Sequence, residues 1–523
     1  MGGVCSADTL NVIDFGATPN GSSDSAAAIQ NALDAAAAND TVYMPAGTYL
    51  TNAPLRPHSN TTLKGDGQDQ TVVQYNSSNA YAMIELNNAS NVEISDLTLE
   101  GANSAIPSYG IAGYNGSGHF LHRLTIQNFT NPSACHAIQF SGDGDGMFTH
   151  PVTDSVISDN TISNISTNSA WGCGVRMAWG SSRNQIVRNV IDNTGRGGIF
   201  GNDGSTDLII QHNTVTRSGQ TDAKLGIEVW NGCDRALIED NSMDHWLSMY
   251  ASDSCAVRRN TVRDTGEAMA FIGIEVISQD TVVTDNVIDH GQYLGFSVSG
   301  THRNWHQYYA YNTVQYMGEW GVQLQGEGPD GAKYLYFYKN KFINTVQDPT
   351  APYQGAQGRG FRFNGHTYST TLDSNEIRDN QAEGLQFSAD IDQISVINNV
   401  ITGNAWAVTG YDGADLEWSG NTVSGNGNNT EPAARGFSDQ KPVASFSSPD
   451  AAAPGEAVQF TNTSYDPDGT IAYCLWDFGD GLPSNALNPT YAYSLPGSYR
   501  VTLIVWDDAG RAARVEKTIV ISM

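Results

Sequence analysis

Three features of the sequence predict an all-β chain. A phrase centred on Asn returns eleven times, a Gly-led phrase of alternating residues returns with it, and the text changes character near residue 442. The fold expected from them is a right-handed parallel β-helix with an N-terminal capping helix, continued by a C-terminal immunoglobulin-like β-sandwich.

The Asn phrase joins two apolar-alternating runs, as in Ile157-Ser158-Asp159-Asn160-Thr161-Ile162 and Val282-Val283-Thr284-Asp285-Asn286-Val287-Ile288. Its Asn falls at Asn160, Asn189, Asn213, Asn241, Asn260, Asn286, Asn312, Asn340, Asn375, Asn399 and Asn421, 19 to 35 residues apart. A repeat of that length is one coil of a solenoid. No coil can bury its own inner face, so each stacks on the next, and differences in length go into loops. Asn side chains stacked along the axis can hydrogen-bond to one another, which makes all eleven scaffold.

The second phrase reads Gly226-Ile227-Glu228-Val229, Gly273-Ile274-Glu275-Val276, Gly295-Phe296-Ser297-Val298, Gly321-Val322-Gln323-Leu324, Gly360-Phe361-Arg362-Phe363 and Gly384-Leu385-Gln386-Phe387. Period-two alternation sends the apolar residues inward and the residue between them outward. Its third letter is therefore expected to form a solvent-facing row: Gln139, Arg176, Phe200, Glu228, Ser248, Glu275, Ser297, Gln323, Arg362, Gln386 and Thr409. Two residues on, Trp230, Tyr250, Gln325, Asn364 and Tyr411 are expected on the same face.

The start of the chain predicts strand, helix, strand. Asn11-Val12-Ile13-Asp14-Phe15-Gly16-Ala17 leads through a Gly/Ser turn to an Ala-rich helix with Asp24 as N-cap, then to Thr41-Val42-Tyr43-Met44-Pro45-Ala46-Gly47-Thr48-Tyr49. A helix laid over the first coil covers apolar surface and an open sheet edge. The boundaries expected are a cap over 1–60, the β-helix over 61–425, a Gly/Asn-rich linker over 426–441 and the sandwich over 442–523.

The opening D-F-G-A, the helix and Y-M-P-A-G-T-Y resemble the N-terminal segment of the pectate-lyase-like β-helix superfamily. That resemblance implies a carbohydrate-active protein, since polygalacturonases, pectate and alginate lyases, mannuronan epimerases and phage tailspikes share the architecture. The polygalacturonase set N-T-D, D-D, G-H-G and R-I-K is missing from the coils, and the Asp507-Asp508 pair lies in the C-terminal module. The epimerase phrase Y-G-x-D-P-H and calcium-binding nonapeptides are missing too. From Pro442, the phrases Asp466-Pro467-Asp468-Gly469 and Trp476-Asp477-Phe478-Gly479-Asp480-Gly481 resemble a polycystic-kidney-disease (PKD) domain. Such a module has no catalytic machinery and is expected to contact glycan or the cell surface.

A net charge of -29 without Lys/Arg clusters excludes a nucleic-acid binder. No run of about 18 apolar residues predicts a membrane span, and Met1-Gly2-Gly3 opens no basic and apolar leader. A mature secreted or cell-surface protein without its signal peptide is expected, with a polysaccharide as partner.

For chemistry, Glu228 and Glu275 are expected two coils apart, their backbones roughly 9 to 10 Å from each other, with Asp203 at the end of the preceding strand. Carboxyls set about 5 to 9.5 Å apart in a sugar groove suit glycoside hydrolysis. Trp230 and Tyr250 would serve as sugar platforms, and Arg176, Gln323 and Arg362 as further substrate contacts. A polysaccharide lyase or epimerase acting on a uronic-acid polymer stays open through Arg176, Lys224 and Arg362, as does a non-catalytic adhesive role. The acidic balance favours a neutral polymer. Calcium is the one cofactor suggested, at Asp143-Gly144-Asp145 or at Asp466 and Asp468, whereas His136, His245, His290, His302, His306 and His366 show no metal-ligand spacing. Asp207, Asp234 and Asp280 read as turn residues. Consecutive coils place Cys135 near Cys173 and Cys233 near Cys255, so two disulfides are expected, with Cys5 and Cys474 as single thiols.

Overall fold

A computed structural model describes residues 7–76, 81–101, 108–131, 135–144, 146–219, 225–263, 272–300, 302–327, 331–347, 358–388, 391–411, 415–433 and 436–523. Cys5, Asp145 and Lys224 lie outside them. The chain forms two compact units, Met1–Asp234 with Asp240–Ser248, and Arg235–Glu239 with Met249–Met523.

In the first unit the cap helix α1 spans Ala26–Ala35 and buries Ala26, Ile29, Ala32 and Leu33, an i, i+3, i+4 stripe. The capping expectation shifts by one residue. Ser25 is the N-cap and its side chain makes no cap bond, while Asp24 Oδ1, one residue earlier, accepts from the backbone N–H of Ala26 at 3.0 Å.

The Gly-led phrases form parallel strands in register. In the first unit these are β1 (Ala82–Glu85), β2 (Tyr109–Tyr114), β3 (His136–Ser141), β4 (Cys173–Ala178), β5 (Gly197–Asn202) and β6 (Leu225–Trp230). In the second they are β7 (Ile272–Ile277), β8 (Leu294–Gly300), β9 (Trp320–Gly326), β10 (Arg359–Asn364), β11 (Glu383–Phe387) and β12 (Trp406–Thr409). The register pairs Gln139 with Arg176, Arg176 with Phe200 and Phe200 with Glu228. In the second unit it pairs Glu275 with Ser297, then Gln323, Arg362, Gln386 and Thr409.

The Asn scaffold is built as expected within each unit. Asn160 donates Nδ2–H to Asn189 Oδ1 at 2.9 Å, Asn189 to Asn213 and Asn213 to Asn241 at 3.0 Å. The second unit runs from Asn260 through Asn286, Asn312, Asn340, Asn375 and Asn399 to Asn421. Each of these side chains also donates to a backbone carbonyl, as Asn312 does to Val283 O at 2.8 Å. A shorter ladder, Asn380 to Asn404 to Asn426, runs beside it.

The C-terminal sandwich belongs to the second unit. Its strands Ile471–Asp477, Gly497–Asp507 and Ala512–Ile521 pair antiparallel around a core that includes Phe446, Phe460, Trp476, Phe478 and Tyr493. It is packed onto the β-helix rather than tethered to it. Leu475, Ile504, Trp506 and Ala512 share an apolar cluster with Ala256, Val282, Tyr308, Ala310 and Tyr336. Alternation explains the double use of Trp476-Asp477-Phe478: the two rings enter the sandwich core, and Asp477 turns the other way to Arg258 Nη1 at 2.7 Å. Arg258 is 1% exposed and Asp477 5%. Around this pair, Arg500 meets Asp285 at 2.6 Å and the Tyr473 hydroxyl donates to Asp280 at 2.6 Å. The segment read as a linker is anchored as well, Lys441 Nζ lying 2.8 Å from Glu417 Oε1.

Candidate functional site

Two rows of side chains face outward from β1–β12. One is the third letter of the Gly-led phrase. The other is the residue just before the Gly or Ala that opens it: Tyr109, His136 and Cys173 in the first unit, and Trp320, Arg359 and Glu383 in the second. The third-letter row is less open than expected. Gln139, Phe200, Glu228, Ser248 and Ser297 are all buried, and over Phe200 and Glu228 it is arginine side chains that fold across.

Glu228 is the clearest case. It is 6% exposed, and Arg196 grips both carboxylate oxygens, Nη2 to Oε1 at 3.0 Å and Nε to Oε2 at 3.1 Å. That guanidinium lies over Phe200 at 4.5 Å and Trp171 at 5.1 Å. With both oxygens engaged, Glu228 is a poor proton donor. Asp203, in a left-handed backbone conformation (φ 51°), accepts from Asn231 Nδ2 at 2.7 Å and from Asn202. Arg176 donates to Asn202 Oδ1 at 3.1 Å and lies beside His136, Nη1 to Nε2 3.4 Å. His136 is fully buried in β3 and stacked on Tyr109 at 5.5 Å. Burial first, and then Arg176 and Arg196, hold it well below its usual pKa, so the ring is neutral. Tyr81, Trp171 and Trp230 present exposed rings.

The expected disulfides do not form. The register sets Cys173 opposite His136, so Cys135 is one residue out of step. A one-residue slip in a strand turns the side chain to the other face. Both remain buried thiols that burial pushes up to about 12. Cys233 and Cys255 belong to different units and neither enters a disulfide; their thiols donate to Trp230 O at 3.4 Å and Ser252 O at 3.5 Å.

In the second unit Glu275 is half-buried in β7, and Tyr250 half-buried at the end of strand Trp246–Tyr250. Glu228 and Glu275, expected as partners, belong to different units. Gln323 donates to Gln325 Oε1 at 2.6 Å, and Asn364 Nδ2 to the same oxygen at 3.0 Å. The sequence reading missed what lies beside them. Trp320 is 2% exposed, and the guanidiniums of Arg359 and Arg362 lie over its indole at 4.4 and 4.7 Å. Arg359 is ion-paired with Glu383 at 2.6 Å. Glu319, next to Trp320, is half-buried with Oε2 unpartnered, and burial raises its pKa against the pull of Arg359 and Arg362. A signal was present: a charged residue stands immediately before the Gly in Arg359-Gly360 and Glu383-Gly384, and one residue earlier in Glu319-Trp320-Gly321.

Among the described residues no group of three or more His, Cys, Asp or Glu side chains could hold a metal ion. Asp143 instead accepts from Tyr114, Thr149 and His150. No helix among them is long and apolar enough to cross a membrane. Asp207 and Asp280 do sit at left-handed turn positions, φ 56° and 54°.

A family model for the right-handed beta helix region matches residues 57–243 and 245–430, one for "Rhamnogalacturonase A/epimerase, pectate lyase-like" matches 9–83, and one for the PKD domain matches 439–523. Collagenase ColQ1 of Bacillus cereus (strain Q1) is 46% identical over 67 residues, 13% of this chain and 7% of the collagenase. Mannuronan C5-epimerase AlgE3 of Azotobacter vinelandii is 36% identical over 122 residues, 20% of this chain and 7% of the epimerase. The chain thus spans 7% of the length of each of these curated relatives. Among solved structures, a mutant tailspike protein of E. coli bacteriophage HK620 in complex with a pentasaccharide superposes with a TM-score of 0.51 at 13% identity, covering 98% of this chain and 92% of the tailspike. That likeness is one of fold.

Proposed function

We infer the function from a plain premise: the chain belongs to the right-handed β-helix family and carries a PKD domain at its C-terminus. Our reading is an extracellular carbohydrate-active enzyme that hydrolyses glycosidic bonds with paired carboxyls at the starts of β9 and β11. The observation that carries it is the contrast between Glu319 and Glu383. Glu319 has its pKa raised by burial, which suits an acid that still holds its proton. Glu383 is a carboxylate paired with Arg359. The register pairs Trp320 with Arg359 and Phe361 with Leu385; Glu319 is one residue before that register but feels the charge of Arg359, the partner of Glu383, and the two acids stand two coils apart, roughly 9 to 10 Å between backbones. Inverting hydrolysis needs carboxyls about 6.5 to 9.5 Å apart with a water between them, a spacing that side chains two coils apart can supply. Glu319 gives its proton to the glycosidic oxygen as the C–O bond breaks. Glu383 takes a proton from the water that attacks the anomeric carbon. These residues take the roles that sequence reasoning gave to Glu228, Glu275 and Asp203.

Polysaccharide digestion tests the proposal: new reducing ends without the ultraviolet absorbance of an unsaturated uronate, abolished in Glu319→Gln and Glu383→Gln with the fold intact. Full turnover by both variants sinks it. A second reading, elimination or epimerisation at a uronate, draws on neutral His136 beside Arg176 and Tyr109. Ultraviolet absorbance that disappears in Arg176→Gln would favour elimination.

A further inference from the structure

One charged group near Glu319 and Glu383 is unused by that reaction, and the following rests on the hydrolytic reading of the same face. Arg362 lies half-buried in β10, between Gln323 of β9 and Gln386 of β11 in register. Its Nε–H is buried with no hydrogen-bond partner. Its neighbour Arg359 has a carboxylate, Glu383, whereas Arg362 enters no ion pair among the described residues. Its guanidinium carbon lies 4.7 Å from the centre of the Trp320 ring. Burial, reinforced by Arg359, works against its charge, and Glu319 and Glu383 offset that only in part.

A partly desolvated cation with no carboxylate in ion-pair contact is unfavourable unless something negative completes it. A planar guanidinium set against an indole offers a fork that matches the two oxygens of a carboxylate or sulfate. The amides of Gln323, Gln325 and Asn364 beside it are the neutral donors and acceptors that sugar hydroxyls need. We propose that Arg362 is a subsite for a negatively charged substituent, carboxylate or sulfate, so that the polymer this face takes is an acidic polysaccharide. The overall charge of -29 does not oppose this, because exposed charges are screened beyond roughly 8 Å at physiological salt. At the subsite itself Glu383 is taken up by Arg359, and Arg362 is the cation that holds no carboxylate in ion-pair contact.

The test is binding by the full chain to polygalacturonate, its carboxyl-reduced neutral form, chondroitin sulfate and dextran, with wild type, Arg362→Gln and Arg362→Lys. We expect one or both anionic polymers to bind and the neutral ones to bind weakly, the two anionic arms telling carboxylate from sulfate. Arg362→Gln should weaken anionic binding about ten- to a hundredfold, with thermal unfolding unchanged, and Arg362→Lys should restore part of it. Equal binding of neutral and anionic polymers, no binding of either anionic polymer, or unchanged affinity in Arg362→Gln overturns the proposal. The two readings fail separately. If Glu319→Gln keeps turnover while Arg362→Gln loses binding, hydrolysis by Glu319 is wrong and the subsite stands; the reverse result rejects the subsite alone.

Discussion

Replacing Arg258 with Met is the sharpest probe of how the C-terminal module is held. Arg258 donates to Asp477 Oδ1 at 2.7 Å and to Gly481 O at 2.9 Å. Asp477 keeps a bond from Gly479 N at 2.9 Å but loses the guanidinium of Arg258, at a site 5% exposed to water. Removing one member of a buried ion pair costs about 3 to 5 kcal/mol, because the other charge stays buried and uncompensated. The double variant Arg258→Met/Asp477→Asn removes both charges, keeps the Gly479 contact, and should recover all but about 1 kcal/mol. Urea unfolding of the full chain, followed by tryptophan fluorescence, reads this directly, since Trp476 and Trp506 are buried in the module. The single variant should unfold at lower urea and the double close to wild type. A single variant within about 0.5 kcal/mol of wild type, the range of ordinary surface substitutions, would refute the claim that this pair bears on docking.

Three further outcomes are expected. Asn312→Ala deletes two donations, to Val283 O and Asn340, and two acceptances, from the Asn286 backbone and side chain; with each orphaned partner costing about 1 to 3 kcal/mol, it should lower the urea midpoint far more than Asn421→Ala at the half-exposed end of the ladder. Asp507 is 2% exposed, and burial, with Asp439 and Asp466 adding, raises it from 3.8 to about 6. A raised folded-state value stabilises below the unfolded pKa and is lost as pH rises through the folded one, so Asp507→Asn should gain up to roughly 3 kcal/mol over wild type near pH 8 and little near pH 4, read as the difference in urea midpoint. Finally, reductant should leave the melting temperature unchanged, and Cys173 should resist alkylation at pH 8 until the chain unfolds; a drop in melting temperature with reductant would contradict the buried thiols.

The coil was legible because it repeats. Asn160 through Asn421 occupy one geometric position, and the alternation of Gly226-Ile227-Glu228-Val229 announces its inward and outward letters. The site was legible only as a face. Period two says which way Glu228 leaves the backbone, and says nothing of Arg196, thirty-two residues earlier, folding across to grip it. The same limit hid the cysteines: counted from Gln139 and Arg176 they look adjacent, yet the count differs by one, which decides the side on which each sulfur lies. Glu319, Arg359 and Glu383 went unnoticed because the reading began at the Gly and not at the residue before it. The docked module was invisible for a different reason. Asp477 belongs to a motif phrase of the sandwich, and its partner Arg258 lies more than two hundred residues away in a coil with no unusual text.

The Asn ladder has a consequence for how such a chain can change. Successive rungs are 22 residues apart at Asn399 to Asn421 and 35 apart at Asn340 to Asn375, yet the side-chain bond is 3.2 Å in one and 3.0 Å in the other. The ladder is a ruler that measures coils without counting residues. Chain inserted between rungs has to leave and return at fixed points, so it alters the wall of the groove while the register of β9, β10 and β11 is preserved. New specificity can then be written in loop length alone, on a backbone that does not need to be refolded to accept it.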